Sequence, residues 1–156
     1  MADKTINLII VDDSFDTEEK VISTLRTMGY ATRSSRVEDD EDLIDAIKSQ
    51  SPDLVLYSQG MELISLKETC KVIKENTDNA PIPIIAVDKN ETEANVVDAM
   101  NAGAMDLSSY ENMKHLTQVI NREVQAYRNW KQNDNLKKAL DESERRCNSL
   151  LDSSRD

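Results

Sequence analysis

The chain has 156 residues, of which 38% are hydrophobic and 31% charged, and its formal net charge is −11. That acidity excludes a general nucleic-acid binder, which needs a basic face to displace counterions, and no apolar run approaches the length of a membrane span or a signal-peptide core. Two cysteines, Cys70 and Cys147, and one histidine, His115, exclude a disulfide framework and a multi-histidine metal centre, so a reducing cytoplasm is the expected compartment.

Residues 7–11 (NLIIV) read as a short buried strand that ends on Asp12 and Asp13. Helical spacing of Val21, Ile22, Leu25 and Met28 follows over 17–28, with Gly29 as the stop. Residues 30–37 give a second, more polar strand. Asp39 or Asp40 can cap a helix through Leu43, Ile44 and Ile47. Pro52 and Asp53 introduce a third apolar run at Leu54–Tyr57, and a helix over 63–74 carries Leu66, Cys70 and Ile73. Pro81 and Pro83 bracket the approach to a fourth strand at 84–87. A helix over 91–102 stops at Gly103, and 106–110 is a fifth, polar strand. Strands alternating with helices at this spacing predict βα units. The continuous apolar runs predict strands buried on both faces. The expected fold is α/β, a doubly wound five-stranded parallel sheet of flavodoxin-like type with an extended C-terminal helix. Its functional pocket should lie at the carboxyl ends of the strands.

The composition changes near residue 112. Residues 1–112 carry 10 Lys and Arg against 23 Asp and Glu, whereas residues 113–156 carry 9 against 7. No Gly or Pro occurs from 104 to 156. Leu116, Val119, Ile120, Val124, Tyr127 and Trp130 form a helical stripe, and Asn133, Leu136, Leu140, Ser143, Cys147 and Leu150 continue it with alternating spacings of three and four. A single helix over 113–150 would be roughly 57 Å long and would overhang a globule of this size. Two readings stay open for the overhang. It is one strand of a coiled coil, with Tyr127, Trp130, Leu136 and Leu140 near the axis, or it is an uncoupled tail. Tyr127 and Trp130 either anchor a dimer or cover the domain's own lower face.

The segments LIIVDDS, PDLVLYS, PIPIIAVD and NAGAMDLSSY, in that order, resemble a response-regulator receiver domain over about residues 5–127. In that family two acids after the first strand hold a divalent cation, and an Asp ending the third strand accepts a phosphoryl group. A Ser or Thr and a Lys contact its oxygens. The resemblance assigns the acid pair to Asp12 and Asp13, the acceptor position to Ser58, the Ser/Thr position to Asp88 and the Lys position to Tyr110, with Glu111 where a proline usually follows. This is a degenerate phosphorylation pocket, and no catalytic residue is expected. Ser58 lacks the carboxylate that forms an acyl phosphate and completes a hard-cation site, Asp88 adds negative charge, and Tyr110 removes a positive one.

Asp12, Asp13 and Asp88, with no lysine evident beside them, should repel one another or bind a cation. Weak Mg²⁺ binding at Asp12 and Asp13, or simple capping of the first helix by them, both fit the sequence; no other cofactor is expected. Asp53 reads as a surface acid at a strand start, roughly 16 Å from Ser58. The acidic run Glu38–Asp42 suits a helix N-terminus or a basic partner. His115 reads as a surface or interface residue, with phosphotransfer the rarer role.

Residues 143–156 (SERRCNSLLDSSRD) resemble the lead-in to a PAS domain. With a degenerate receiver and a helical connector before it, the chain is similar to the N-terminal part of FimX-type cyclic-di-GMP receptors. The divisions expected are 1–127 receiver-like, 128–150 connector and 151–156 the start of a PAS-like domain. The resemblance implies downstream PAS, GGDEF and EAL domains, the nucleotide site lying in the EAL domain, and a link to type IV pili and twitching motility. The expected role is a homodimerising, protein-docking relay module, cytoplasmic or at the cell pole, without nucleic acid and without membrane insertion. In the family the fourth helix, fifth strand and fifth helix commonly form the dimer face, here about Glu91–Tyr127. The rival readings are a phosphoacceptor switch using non-standard residues and an inert spacer.

Overall fold

The computed structural model describes residues 5–153, with side chains as far as Glu144. Five βα units follow in chain order: β1 (Thr5–Val11), α1 (Phe15–Thr27), β2 (Ala31–Val37), α2 (Asp40–Ser49), β3 (Leu54–Ser58), α3 (Leu66–Asn76), β4 (Ile84–Val87), α4 (Glu93–Ala102), β5 (Asp106–Ser108) and α5 (Met113–Ser153). The strands form one parallel sheet in the order β2-β1-β3-β4-β5. This is the expected five-stranded, receiver- or flavodoxin-like α/β fold with a long last helix. No helix among the described residues is long and apolar enough to cross a membrane.

Strand side chains alternate between two helical layers, as the pleat requires. Ile9, Val11, Val55 and Tyr57 pack with α2, α3 and α4 through Leu43, Ile47, Cys70, Ile73 and Ala99. Leu8, Ile10, Leu54 and Leu56 pack with α1 and α5 through Val21, Leu25, Leu116, Val119, Ile120 and Val124. The buried stretches of the central strands, Leu8–Val11, Leu54–Tyr57 and Ile84–Val87, are therefore without a charged or amide side chain.

Helix starts differ from the periodicity by two or three residues because capping side chains decide them. Ser65 Oγ accepts from Glu68 N at 3.1 Å, which starts α3 at Leu66 rather than at 63. Thr92 Oγ1 accepts from Asn95 N at 3.2 Å and starts α4 at Glu93. Asp39, not Asp40, caps α2, accepting from Asp42 N at 2.8 Å; the rest of the acidic run occupies that helix's first turn, where its dipole favours negative charge. The turn after α4 needs a glycine twice over. Gly103 has φ +116°, and a Cβ there would stand 3.0 Å from Cys70 Sγ.

The last helix is continuous through Ser153 and has two different halves. Leu116, Val119, Ile120 and Val124 are buried, and so is Tyr127, at 5% exposure. Tyr127 thus covers the domain's own core. Trp130 stacks on it, with ring centroids 5.9 Å apart, and keeps an exposed edge. Leu136 and Leu140, by contrast, are 68% and 60% exposed. The side chains of Cys147 and Leu150, and residues 154–156, lie outside the described residues.

Candidate functional site

Strand register assembles one pocket from four loops. Val11 of β1 pairs with Tyr57 of β3, so the next residues, Asp12 and Ser58, leave the sheet side by side. Ser58 pairs with Val87 of β4, and Val87 with Ser108 of β5. Asp88 and the segment Ser109–Tyr110 therefore reach the same carboxyl edge. All five residues assigned from the sequence line one cavity of about 520 Å³: Asp12, Asp13, Ser58, Asp88 and Tyr110.

Asp12 is buried and fully engaged. Its Oδ1 accepts from Ser14 N at 2.9 Å, and its Oδ2 accepts from Ser58 Oγ at 2.5 Å. Arg36 Nη1 donates to the Asp12 carbonyl oxygen at 3.0 Å and to Glu38 Oε1 at 2.7 Å, while its guanidinium lies 4.0 Å from the Phe15 ring centroid. Asp13 is exposed. Neither acid caps α1: the N-cap is Ser14, with no side-chain capping bond. The capping reading is therefore corrected; Asp12 instead forms a short turn over Ser14 and holds Ser58.

Tyr110, at the position the resemblance assigns to a lysine, lines the same cavity. Its hydroxyl is buried beside Ser58 without a hydrogen bond of full geometry. Burial pushes its phenol up to about 12; the neighbouring Ser58 hydroxyl lowers it and the Asp12 charge raises it further.

Two lysines that the sequence reading missed line the cavity, Lys20 of α1 and Lys89 after Asp88. The expectation of an acid cluster without cations is thereby corrected. The signal was present, since Thr17 and Lys20 lie three apart on α1, directly after the acid pair, and both face the pocket. Asp53 is not the surface acid that its place at a strand start suggests. It is buried, and its Oδ2 accepts from Asn7 N at 2.9 Å while Asn7 O accepts from Asp53 N at 2.8 Å. It belongs to the opposite, amino-terminal edge of the sheet.

His115 sits in a separate cluster. Its Nδ1 is 3.0 Å from Ser108 Oγ and 3.6 Å from Glu91 Oε1. Serine and carboxylate approach the same ring nitrogen, and Ser108 is fully buried. A nucleophilic relay needs them on opposite nitrogens with an accessible hydroxyl, so this cluster joins the β4–α4 loop to α5 and has no geometry for catalysis.

A parallel α/β domain whose carboxyl edge carries an acid pair, flanked by the ends of β3, β4 and β5, defines the receiver class of signalling module. The family model of the response regulator receiver domain matches residues 8–121, and the chain belongs to that family. Among solved structures, the chain resembles the receiver domain of a sensor histidine kinase from Pseudomonas aeruginosa PAO1 at 18% identity and TM-score 0.62, over 77% of this chain and 98% of that one. A putative response regulator from Chloroflexus aurantiacus shares 22% identity at TM-score 0.66, over 78% of this chain and 98% of that one. NtrX from Brucella abortus shares 23% at TM-score 0.67, over 85% of this chain, which spans only 29% of NtrX. At these identities the likeness is one of fold.

The Pseudomonas domain has a magnesium ion coordinated in its active-site cleft. The donor set here does not fit a tightly held ion of that kind. Both Asp12 carboxylate oxygens already accept hydrogen bonds from Ser14 and Ser58, and β3 ends on the uncharged hydroxyl of Ser58, which leaves few free charged oxygens for a hard cation. Among the described residues no group of three His, Cys, Asp or Glu side chains could hold a metal.

Proposed function

We propose that this chain is a pseudo-receiver that takes no phosphoryl group, performs no catalysis, and serves as a docking and relay module through α5. The observation that carries the reading is the Ser58–Asp12 hydrogen bond with Tyr110 beside it. A hydroxyl cannot form the labile acyl phosphate of an aspartate. At the position the family resemblance gives to a lysine stands a neutral phenol, and the cavity's two lysines, Lys20 and Lys89, come from other places, α1 and the loop after β4. Asp12 is already held by the protein through Ser14 and Ser58, although the buried Tyr110 hydroxyl beside it lacks a partner. Mg²⁺ binding, if retained at Asp12 and Asp13, is weak under this reading.

Homodimerisation is supported by two apolar surfaces. Val97, Met100 and Met105 are exposed on the α4–β5 edge, and Leu136 and Leu140 are exposed on the connector. On this reading the chain is the N-terminal part of a multidomain cyclic-di-GMP signalling protein of FimX type, connected to type IV pili and twitching motility and acting in the cytoplasm or at the cell pole. The sequence resemblance supports that context.

The test is incubation with acetyl phosphate and Mg²⁺ followed by intact mass. The expected result is no gain of the roughly 80 Da of a phosphoryl group. A stoichiometric gain would favour the phosphoacceptor reading instead.

A further inference from the structure

The overhang of α5 presents two unlike faces. Leu136 lies nine residues past Tyr127, which is about two and a half turns of a helix. Leu136 therefore stands on the side of α5 opposite to the one on which Tyr127 is buried. Leu136 and Leu140 are exposed. Seven residues before them come Asn129 and Asn133, and seven before those come Arg122 and Ala126. Asn129, Asn133 and Ser143, which continues the repeat, are exposed as well. From Ala126 to Ser143 this seam holds no charged residue. The opposite face carries Lys131, Asp134 and Lys138, the last two paired at 3.1 Å.

The seam has a defined beginning. Arg122 Nη2 is 3.0 Å from Asp106 Oδ2 of β5, and its Nε is 3.1 Å from Glu123 Oε1. That column is thus taken up by ion pairs one heptad before Asn129, and the uncharged positions start at Ala126.

We infer that a second copy of this chain lies along the seam, parallel and in register, and that Asn129 and Asn133 fix the register. This assignment rests on the homodimer reading and adds the face, direction and alignment of the pairing. A carboxamide offers both donors and an acceptor. Across a two-fold axis it meets its own complement, so Asn133 is satisfied opposite Asn133 and is left unpaired opposite a leucine. A slip of one heptad would set Asn129 against Leu136 and Asn133 against Leu140. An antiparallel pairing that keeps Leu136 against Leu140 would set Asn133 against Ser143. The flanking positions also suit an identical partner. In a parallel pair Gln132 faces Lys137 and Ala139 faces Glu144, so no like charges meet. Two leucine layers supply attraction, and two carboxamide layers exclude the competing alignments at a cost in stability.

The full chain is first studied by sedimentation equilibrium, where a concentration-dependent dimer is expected. N133C and S143C are then made separately in a C147S background, because Cys147 falls on the same repeat; Cys70 is buried. Mild oxidation should join N133C to N133C and S143C to S143C. A mixture of the two should give no N133C–S143C product by intact mass, and K138C, on the opposite face, should not crosslink. N133I should tighten the dimer about tenfold, and N133D, which sets like charges across the seam, should weaken it by about as much. Position 133 is exposed, and far-UV circular dichroism checks the fold of each variant. A chain that stays monomeric at all concentrations overturns the homodimer reading and this assignment together. A dimer in which N133C fails to crosslink, or crosslinks to S143C, or which N133I weakens, leaves the homodimer standing and overturns the alignment alone.

Discussion

The two halves of α5 carry similar apolar periodicity and meet different fates. From Leu116 to Tyr127 the stripe is buried against the sheet and its neighbours, whereas Leu136 and Leu140 stand in solvent. An amphipathic helix is stabilised mainly by whatever covers its apolar face. The first half finds that cover within its own chain. The second half has none among the described residues, and the difference separates a half committed to the fold from a half whose apolar positions stay open, along one continuous helix.

The largest expected effect tests the folded half. Leu116→Ala should cost about 3 kcal/mol of unfolding free energy, measured by chemical denaturation, because it removes fully buried volume. A change below about 1 kcal/mol would mean that the first half is no more essential to the fold than the second.

The next effect concerns the pocket above that helix. Burial holds the Tyr110 phenol at about 12, above its ordinary value of 10.0. Tyr57 and Tyr127 are raised in the same sense, also chiefly by burial. The folded state therefore keeps a proton that the unfolded state releases. This contribution is fully present below pH about 10 and is lost as pH rises toward about 12. For Tyr110 alone it is on the order of 2–3 kcal/mol. Tyr110→Phe should flatten that alkaline loss of stability, and an unchanged pH profile would place the phenol in water.

Leu136→Asp with Leu140→Asp tests the overhanging half. Sedimentation equilibrium should show self-association weakened at least tenfold, about 1.4 kcal/mol, with the domain's unfolding midpoint almost unmoved. Unchanged association would shift the interface to the α4–β5 edge. The smallest effect is expected at the acid pair: millimolar Mg²⁺ should leave the Asp12 and Asp13 amide resonances nearly in place. A saturable shift there would restore a cation to the pocket.

The central strands were legible because burial on both faces leaves β1, β3 and β4 with uninterrupted apolar runs. Helix starts were less so, since Ser65 and Thr92 fix them by single hydrogen bonds that periodicity does not register. Asp12, Asp13, Ser58, Asp88 and Tyr110 could be placed only by family resemblance, and the strand register brings all five to one cavity. Lys20 is readable from its spacing to Thr17 on the helix that follows the acid pair. Asp53 could not be read correctly from its neighbours. Its partner, the Asn7 amide, is 46 residues away and meets it only once β1 and β3 align.

The continuity of α5 has a mechanical consequence. The helix has 41 residues, and the portion past Lys131 projects roughly 33 Å at about 1.5 Å per residue. A tilt of about 5° in the part seated on the sheet would carry its far end sideways by roughly 3 Å over that lever arm. A helix without glycine or proline offers no joint at which such a movement would be absorbed. A slight adjustment among Leu116, Ile120 and Val124 would therefore arrive magnified at whatever the distal end touches.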